Sequence, residues 1–149
     1  MNFRKVIPLC LTALAAFASA AGAAMTARHS HTSTLLPDGN FLIIGGVTNS
    51  ANAVTDVVEM YNMTTNAYET WAGGLSVARS SHTATLMSDG RVLVAGGFDA
   101  SGTPMSSLEI CYPNNTPKSC SSIGAVLTTP RGGHTATLLS KGPYSGQVL

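Results

Sequence analysis

The chain has 149 residues, 44% hydrophobic, 6% aromatic and 10% charged, with a mean hydropathy of +0.21. Those figures exclude a polyelectrolyte, a coiled coil and most kinds of intrinsic disorder. The formal net charge is +1; removing Arg4 and Lys5 with a leader leaves 6 of the 8 basic side chains against 7 acidic ones, a net −1. No electrostatic case for nucleic acid survives that count.

Arg4 and Lys5 form a short positive start, Val6 to Ala18 a mostly apolar stretch, and Ala18 to Ala24 a run of small residues. That order reads as a secretory signal peptide over residues 1–24, cut after Ala20 or Ala23, with an uncleaved membrane anchor as the alternative. Cys10 leaves with the leader, and no membrane contact is expected after cleavage. Cys111 and Cys120 then remain in a chain expected at the cell surface, outside the cell or in the periplasm. An even cysteine count in an oxidising space suggests one disulfide, with two separate buried thiols as the alternative.

The main signal after the leader is self-similarity. The segment from Arg28 through His31, Thr32 and Asp38-Gly39 to Gly45-Gly46 recurs from Arg79 through His82, Thr83 and Asp89-Gly90 to Gly96-Gly97. It starts a third time at Arg131, with His134 and Thr135. The histidines set the period, 51 residues from His31 to His82 and 52 from His82 to His134. Within a unit, a run bearing Thr and Leu is joined through Asp-Gly to a β-branched run that ends in the glycine doublet. Asp-Gly between such runs predicts a hairpin whose two turn residues both take positive φ. Thr55 to Tyr61 reads as a third strand and Ala67 to Trp71 as a fourth, with Asn62 to Asn66 turning between them. Each unit is thus a four-stranded antiparallel meander, and long helical patterns are absent outside the leader. The expected fold class is all-β.

Four strands in about 50 residues, with a glycine doublet closing the second, resemble a blade of the kelch-repeat propellers. The likeness is to the bacterial, galactose-oxidase-like type, carried by His82-Thr83-Ala84-Thr85-Leu86 with Gly96-Gly97, and by Glu59, Tyr61 and Trp71 in family order. It implies a partial β-propeller over residues 25–149, with blades at about 27–77 and 78–129 and an incomplete one at 130–149. Aligning Glu109 with Glu59 puts Cys111 where Tyr61 stands and Cys120 close to the place of Trp71. A cystine between the third and fourth strands is therefore expected to replace an aromatic contact. The third hairpin carries an extra Gly142-Pro143-Tyr144-Ser145, and Leu149 precedes the doublet that the repeat calls for. Propellers close at about 4 to 8 blades, so further blades are expected, in a longer reading frame or in other copies.

Repeated positions are the candidate functional residues. Three equivalent histidines, His31, His82 and His134, invite a metal site. Equivalent positions on packed sheets lie about 10 Å apart, too far for shared zinc ligation, and a structural hydrogen bond within each blade is the preferred reading. Arg28, Arg79 and Arg131 enter successive blades, where they form either an arc on one rim that binds anionic groups or loop-fixing contacts to carbonyls and an acidic neighbour. Gly45-Gly46 and Gly96-Gly97 lack a phosphate-loop pattern, and close backbone packing accounts for them. Asn62-Met63-Thr64 and Asn114-Asn115-Thr116 fit the glycosylation pattern and are read as turn residues.

Galactose oxidase carries a copper ion and a Tyr-Cys thioether. Cys111 and Tyr112 are strand neighbours that point to opposite faces, so they cannot be joined in that way. No catalytic residue, cofactor or metal is assigned. The expected function is a secreted scaffold that binds a protein or carbohydrate through the loops Val47 to Val54, Phe98 to Ser107 and Asn114 to Ser119. The alternatives are part of a copper radical oxidase or sugar epimerase with active residues beyond Leu149, and a structural module of a large repetitive exoprotein.

Overall fold

The computed structural model describes residues 25–49 and 52–149, so the signal peptide expected over residues 1–24 lies outside the described residues. The strands in chain order are β1 (Arg28–His29), β2 (Thr32–Leu35), β3 (Phe41–Ile44), β4 (Val47–Thr48), β5 (Ala53–Val54), β6 (Val58–Asn62), β7 (Ala67–Thr70), β8 (Thr83–Leu86), β9 (Val92–Ala95), β10 (Ser107–Tyr112) and β11 (Ser119–Val126). No helix occurs among the described residues. All pairings are antiparallel. The first unit forms a four-stranded sheet in the order β2-β3-β6-β7 and the second repeats it as β8-β9-β10-β11. A small third sheet, β1-β4-β5, turns most of the expected loop Val47 to Val54 into a hairpin held by Arg28↔Thr48 and His29↔Val47 pairing. In the second unit the same arrangement is reduced to isolated bridges, Ser80↔Phe98 and Phe98↔Pro104.

The Asp-Gly hairpins form, but with only one residue of each pair at positive φ: Gly39 at 85° and Gly90 at 84°. Gly39 N donates to Leu36 O and Leu36 N to Asn40 O, which makes a three-residue loop closed by a glycine bulge in place of the tighter two-residue turn. The fixed φ of Pro37 suits the second position of a type I turn, but Ser88 takes that place in the second unit, so the proline favours the loop without being required for it. Met87, Gly90 and Arg91 repeat the pattern. The third strand starts at Val58 and not at Thr55, because the Thr55 and Asp56 carbonyls accept hydrogen bonds from Arg79 N and Leu75 N of the following segment.

Residues directly opposed in an antiparallel pair share a face. Leu42, Ile44, Val58 and Met60 lie on one face of the first sheet, and Val92, Val94 and Cys111 on one face of the second. These faces pack together with Trp71 and Leu75 into a single core, flanked by Ala84, Leu86 and Cys120. The core thus lies between units, not within one. The opposite face of the first sheet carries Leu35, Phe41, Ile43, Tyr61 and Tyr68. Residues 131–149 contribute an open hairpin, with Leu138 bridged to Val148 and Thr137 and Leu149 exchanging both backbone hydrogen bonds. The described residues form three open antiparallel sheets and no closed barrel or ring.

Candidate functional site

The arginines do not make a rim arc. Arg28 and Arg79 are 7% and 0% exposed, and each is buried against its own third strand. Arg28 Nη2 pairs with Glu59 Oε2 at 2.6 Å, while its Nη1 donates to the carbonyls of Gly45 and Val57. Arg79 repeats the geometry, with Nη2 to Glu109 Oε1 at 2.5 Å and Nη1 to the carbonyls of Gly96 and Ser107. A buried guanidinium must have its five donors satisfied, and for Arg79 the local Nε bond to Val77 O, the Gly96 and Ser107 carbonyls, the Ser107 hydroxyl and the Glu109 carboxylate do so; Arg28 Nε makes the like bond to Thr26 O. Burial works against the Arg79 charge, and Glu109 opposes that effect. Arg131 keeps the local bond, Nε to Thr129 O, but is exposed.

The histidine bond joins neighbouring units and does not lie within a blade. His82 Nε2 hydrogen-bonds Thr32 Oγ1 of the first unit at 2.9 Å, and His134 Nε2 bonds Thr83 Oγ1 of the second at 3.2 Å. Each His Nδ1 is buried without a hydrogen-bond partner among the described residues. Burial, then the Arg79, His31 and His134 charges, pushes the His82 imidazole down to about 4 from its ordinary 6.5. His31 and His134 shift in the same direction, with burial the largest cause of each. A neutral ring in a structural hydrogen bond follows. Among the described residues no group of three His, Cys, Asp or Glu is placed to hold a metal ion.

The glycine doublets receive the next unit. Gly46 N donates to Arg79 O at 2.9 Å and Gly97 N to Arg131 O at 2.8 Å. A Cβ on Gly45 would stand 2.6 Å from the Arg79 carbonyl oxygen and 3.0 Å from His82 Cε1; one on Gly96 would collide with Arg131 O. Gly45 and Gly96 also have φ of 57° and 59°, so the doublet combines backbone approach with a conformation that side chains resist.

Cys111 and Cys120 form a disulfide and are direct partners across β10 and β11. In the first sheet the corresponding partners are Tyr61 and Tyr68, whose rings meet at a centroid distance of 4.7 Å with a tilt of 39°. The cystine therefore stands in for a Tyr-Tyr contact and not for the Trp71 position expected from sequence. The separation is 7 residues for the tyrosines and 9 for the cysteines, so a longer second turn displaced the alignment. Trp71 is 5% exposed in the interunit core. Asn62 is the last residue of β6, paired with Ala67, and its side chain holds the turn that follows, Oδ1 accepting from Thr64 N and Thr65 N.

Where the two sheets meet at the β7 side, the turn Asn114 to Ser119 stands opposite the end of β7 and encloses a cleft of about 290 Å³. Lys118 Nζ reaches across to Glu69 Oε2 at 2.6 Å. Phe98, in another expected loop, packs against the backbone of Gly132. No protein-family model matches this chain, and no curated protein matches it.

Proposed function

We propose that this chain is part of a secreted, non-catalytic β-propeller of the kelch type whose inter-strand loops bind a glycan or a protein. One observation carries the reading: the junction of the first and second units and that of the second and third use the same contacts. In both, a Thr hydroxyl meets the next unit's His and a glycine N–H meets the next unit's Arg carbonyl. Like contacts at successive junctions imply like rotations, and a repeated rotation of four-stranded sheets about one axis is how a propeller is built. A disulfide and the leader-like residues 1–24 support export to an oxidising compartment. Arg79, His82 and the glycine doublets are buried in scaffold contacts, which leaves the variable surface to the loops.

A glycan array probed with the chain and with a triple variant, Asn49→Ala, Ser101→Ala and Asn115→Ala, tests the reading. One glycan class bound by the parent and lost by the variant is the expected result. Equal binding by both would place recognition outside the loops and overturn it.

A further inference from the structure

Each junction between units joins two half-sets, one from the preceding unit and one from the following unit. The preceding unit offers a Thr hydroxyl and a carbonyl, Thr32 Oγ1 with Ser30 O at the first junction and Thr83 Oγ1 with Ser81 O at the second. The following unit answers with a His Nε2 and a backbone N–H: Ser81 N donates to Ser30 O at 2.9 Å, and Gly133 N to Ser81 O at 2.8 Å. The first unit carries the answering half-set once more, in His31 Nε2 and Ser30 N, and neither makes a hydrogen bond among the described residues. Ser30 nonetheless holds φ of 55°, the left-handed value that its docked counterparts Ser81 and Gly133 hold at 51° and 66°. A serine resists that conformation, so the first unit is shaped in advance for a junction.

The third hairpin carries the opposite half-set. Thr135 takes the place of Thr32 and Thr83, Gly133 O that of Ser30 O and Ser81 O, and among the described residues both are without a hydrogen-bond partner. The apolar surfaces match in the same way. Leu149, opposite Thr137, is 72% exposed, whereas Leu42, in the same place opposite Thr34, is fully buried in the core between the first two units. Leu35, 56% exposed, takes the place of Leu86, which packs against that core.

We propose that the open face of the first unit receives the hairpin 131–149 of a second copy of this chain, and that two copies do so reciprocally. The inference rests on the propeller reading above and adds what covers the two open faces. A second copy is the occupant because one chain holds both half-sets, and a two-fold axis satisfies both junctions at once. Two copies bring six units around that axis, within the about 4 to 8 that a propeller accommodates, and three copies would exceed it. Each new junction sets a hairpin against part of a sheet, so a dissociation constant of about micromolar or weaker is expected. Dilute protein therefore keeps Leu35 and Leu149 exposed.

Sedimentation velocity of the whole chain across a wide range of concentration tests the proposal. The expected result is a monomer that converts to a dimer and to nothing larger. Leu35→Asp and Leu149→Lys, each alone, weaken the dimer tenfold or more. Mixed in equal amounts they restore it, because one junction then joins the two substituted sites with opposite charges and the other junction is unaltered. Both side chains are exposed in the single chain, and an unchanged unfolding midpoint at dilute concentration verifies that the variants fold. A monomer at every concentration, an open series of larger species, or a dimer indifferent to both substitutions would overturn the proposal. So would variants whose dimer the mixture fails to restore. The glycan array run on the same preparations separates the two readings: a monomer that still binds a glycan through its loops overturns the dimer alone.

Discussion

Arg79 and Glu109 are both within 1% of full burial, so each depends on the other for charge compensation. Changing Glu109 to Gln leaves a buried guanidinium without its counter-ion, which typically costs about 3–5 kcal/mol. Arg131→Ala, at the same place in the repeat but exposed, is expected to change stability by less than about 0.5 kcal/mol. Urea unfolding of the two variants measures the contrast, and equal losses would contradict it. The His82 imidazole makes a second residue-level prediction, about pH. Its native value near 4 lies below the 6.5 of the unfolded chain, so the unfolded state takes up the proton first as the pH falls. Stability from this group is complete above about pH 6.5 and declines to a floor near pH 4, by roughly 3 kcal/mol in all. Unfolding free energies between pH 7 and 4 should show that slope, and His82→Gln should flatten it.

At the level of elements, the glycine doublet and the hairpin glycine have positive φ for different reasons. Gly39 closes a surface turn, and a Cβ there would meet nothing within 4 Å. Gly45 closes β3 against the Arg79 carbonyl of the next unit. Gly39→Ala therefore carries only the backbone penalty of about 1–2 kcal/mol. Gly45→Ala adds displacement of the docked segment, and a loss above about 3 kcal/mol is expected by denaturant titration. Similar losses at both positions would show that the doublet is not where the units dock. The third-to-fourth-strand contact shows an element holding its geometry while its chemistry changes. A tilted pair of tyrosine rings serves on the half-exposed side of the first sheet, and a compact cystine serves where Cys111 is fully buried against the first unit. Two tyrosine rings would not fit in that covered position without moving the core.

For the whole molecule, the repeat places equivalent side chains in unequal surroundings. Leu35 and Leu86 occupy the same place in their sheets, yet Leu35 is 56% exposed whereas Leu86 packs against the interunit core. The difference arises because the first unit covers the Leu86 end of that face in the second sheet, whereas among the described residues the Leu35 end of the corresponding face of the first stays open, although Ile43 and Glu59 farther along it are buried. Leu86→Lys should cost about 2 kcal/mol or more, and Leu35→Lys less than about 0.5 kcal/mol. Thermal unfolding of both variants checks this, and equal sensitivity would contradict the packing order of the units.

The sequence by itself determined the all-β class, the two four-stranded meanders and the hairpins at Asp38-Gly39 and Asp89-Gly90. These follow from alternation, turn chemistry and a period of about 51 residues, all of which are local properties. It also marked the repeated Arg, His and Gly positions. Which acid and which hydroxyl those residues touch was not legible, because those partners are distant along the chain: Glu59 is 31 residues from Arg28, and Thr32 is 50 from His82. Only the tertiary structure decided between a rim arc and loop-fixing contacts for Arg28 and Arg79, in favour of carbonyls and an acidic neighbour, and turned an expected bond within a blade into one between units. The longer second turn put Cys120 in the place of Tyr68, and the docking of the two sheets formed the cleft beside Trp71. A repeat records which side chains recur, whereas burial and pairing depend on which faces are brought together.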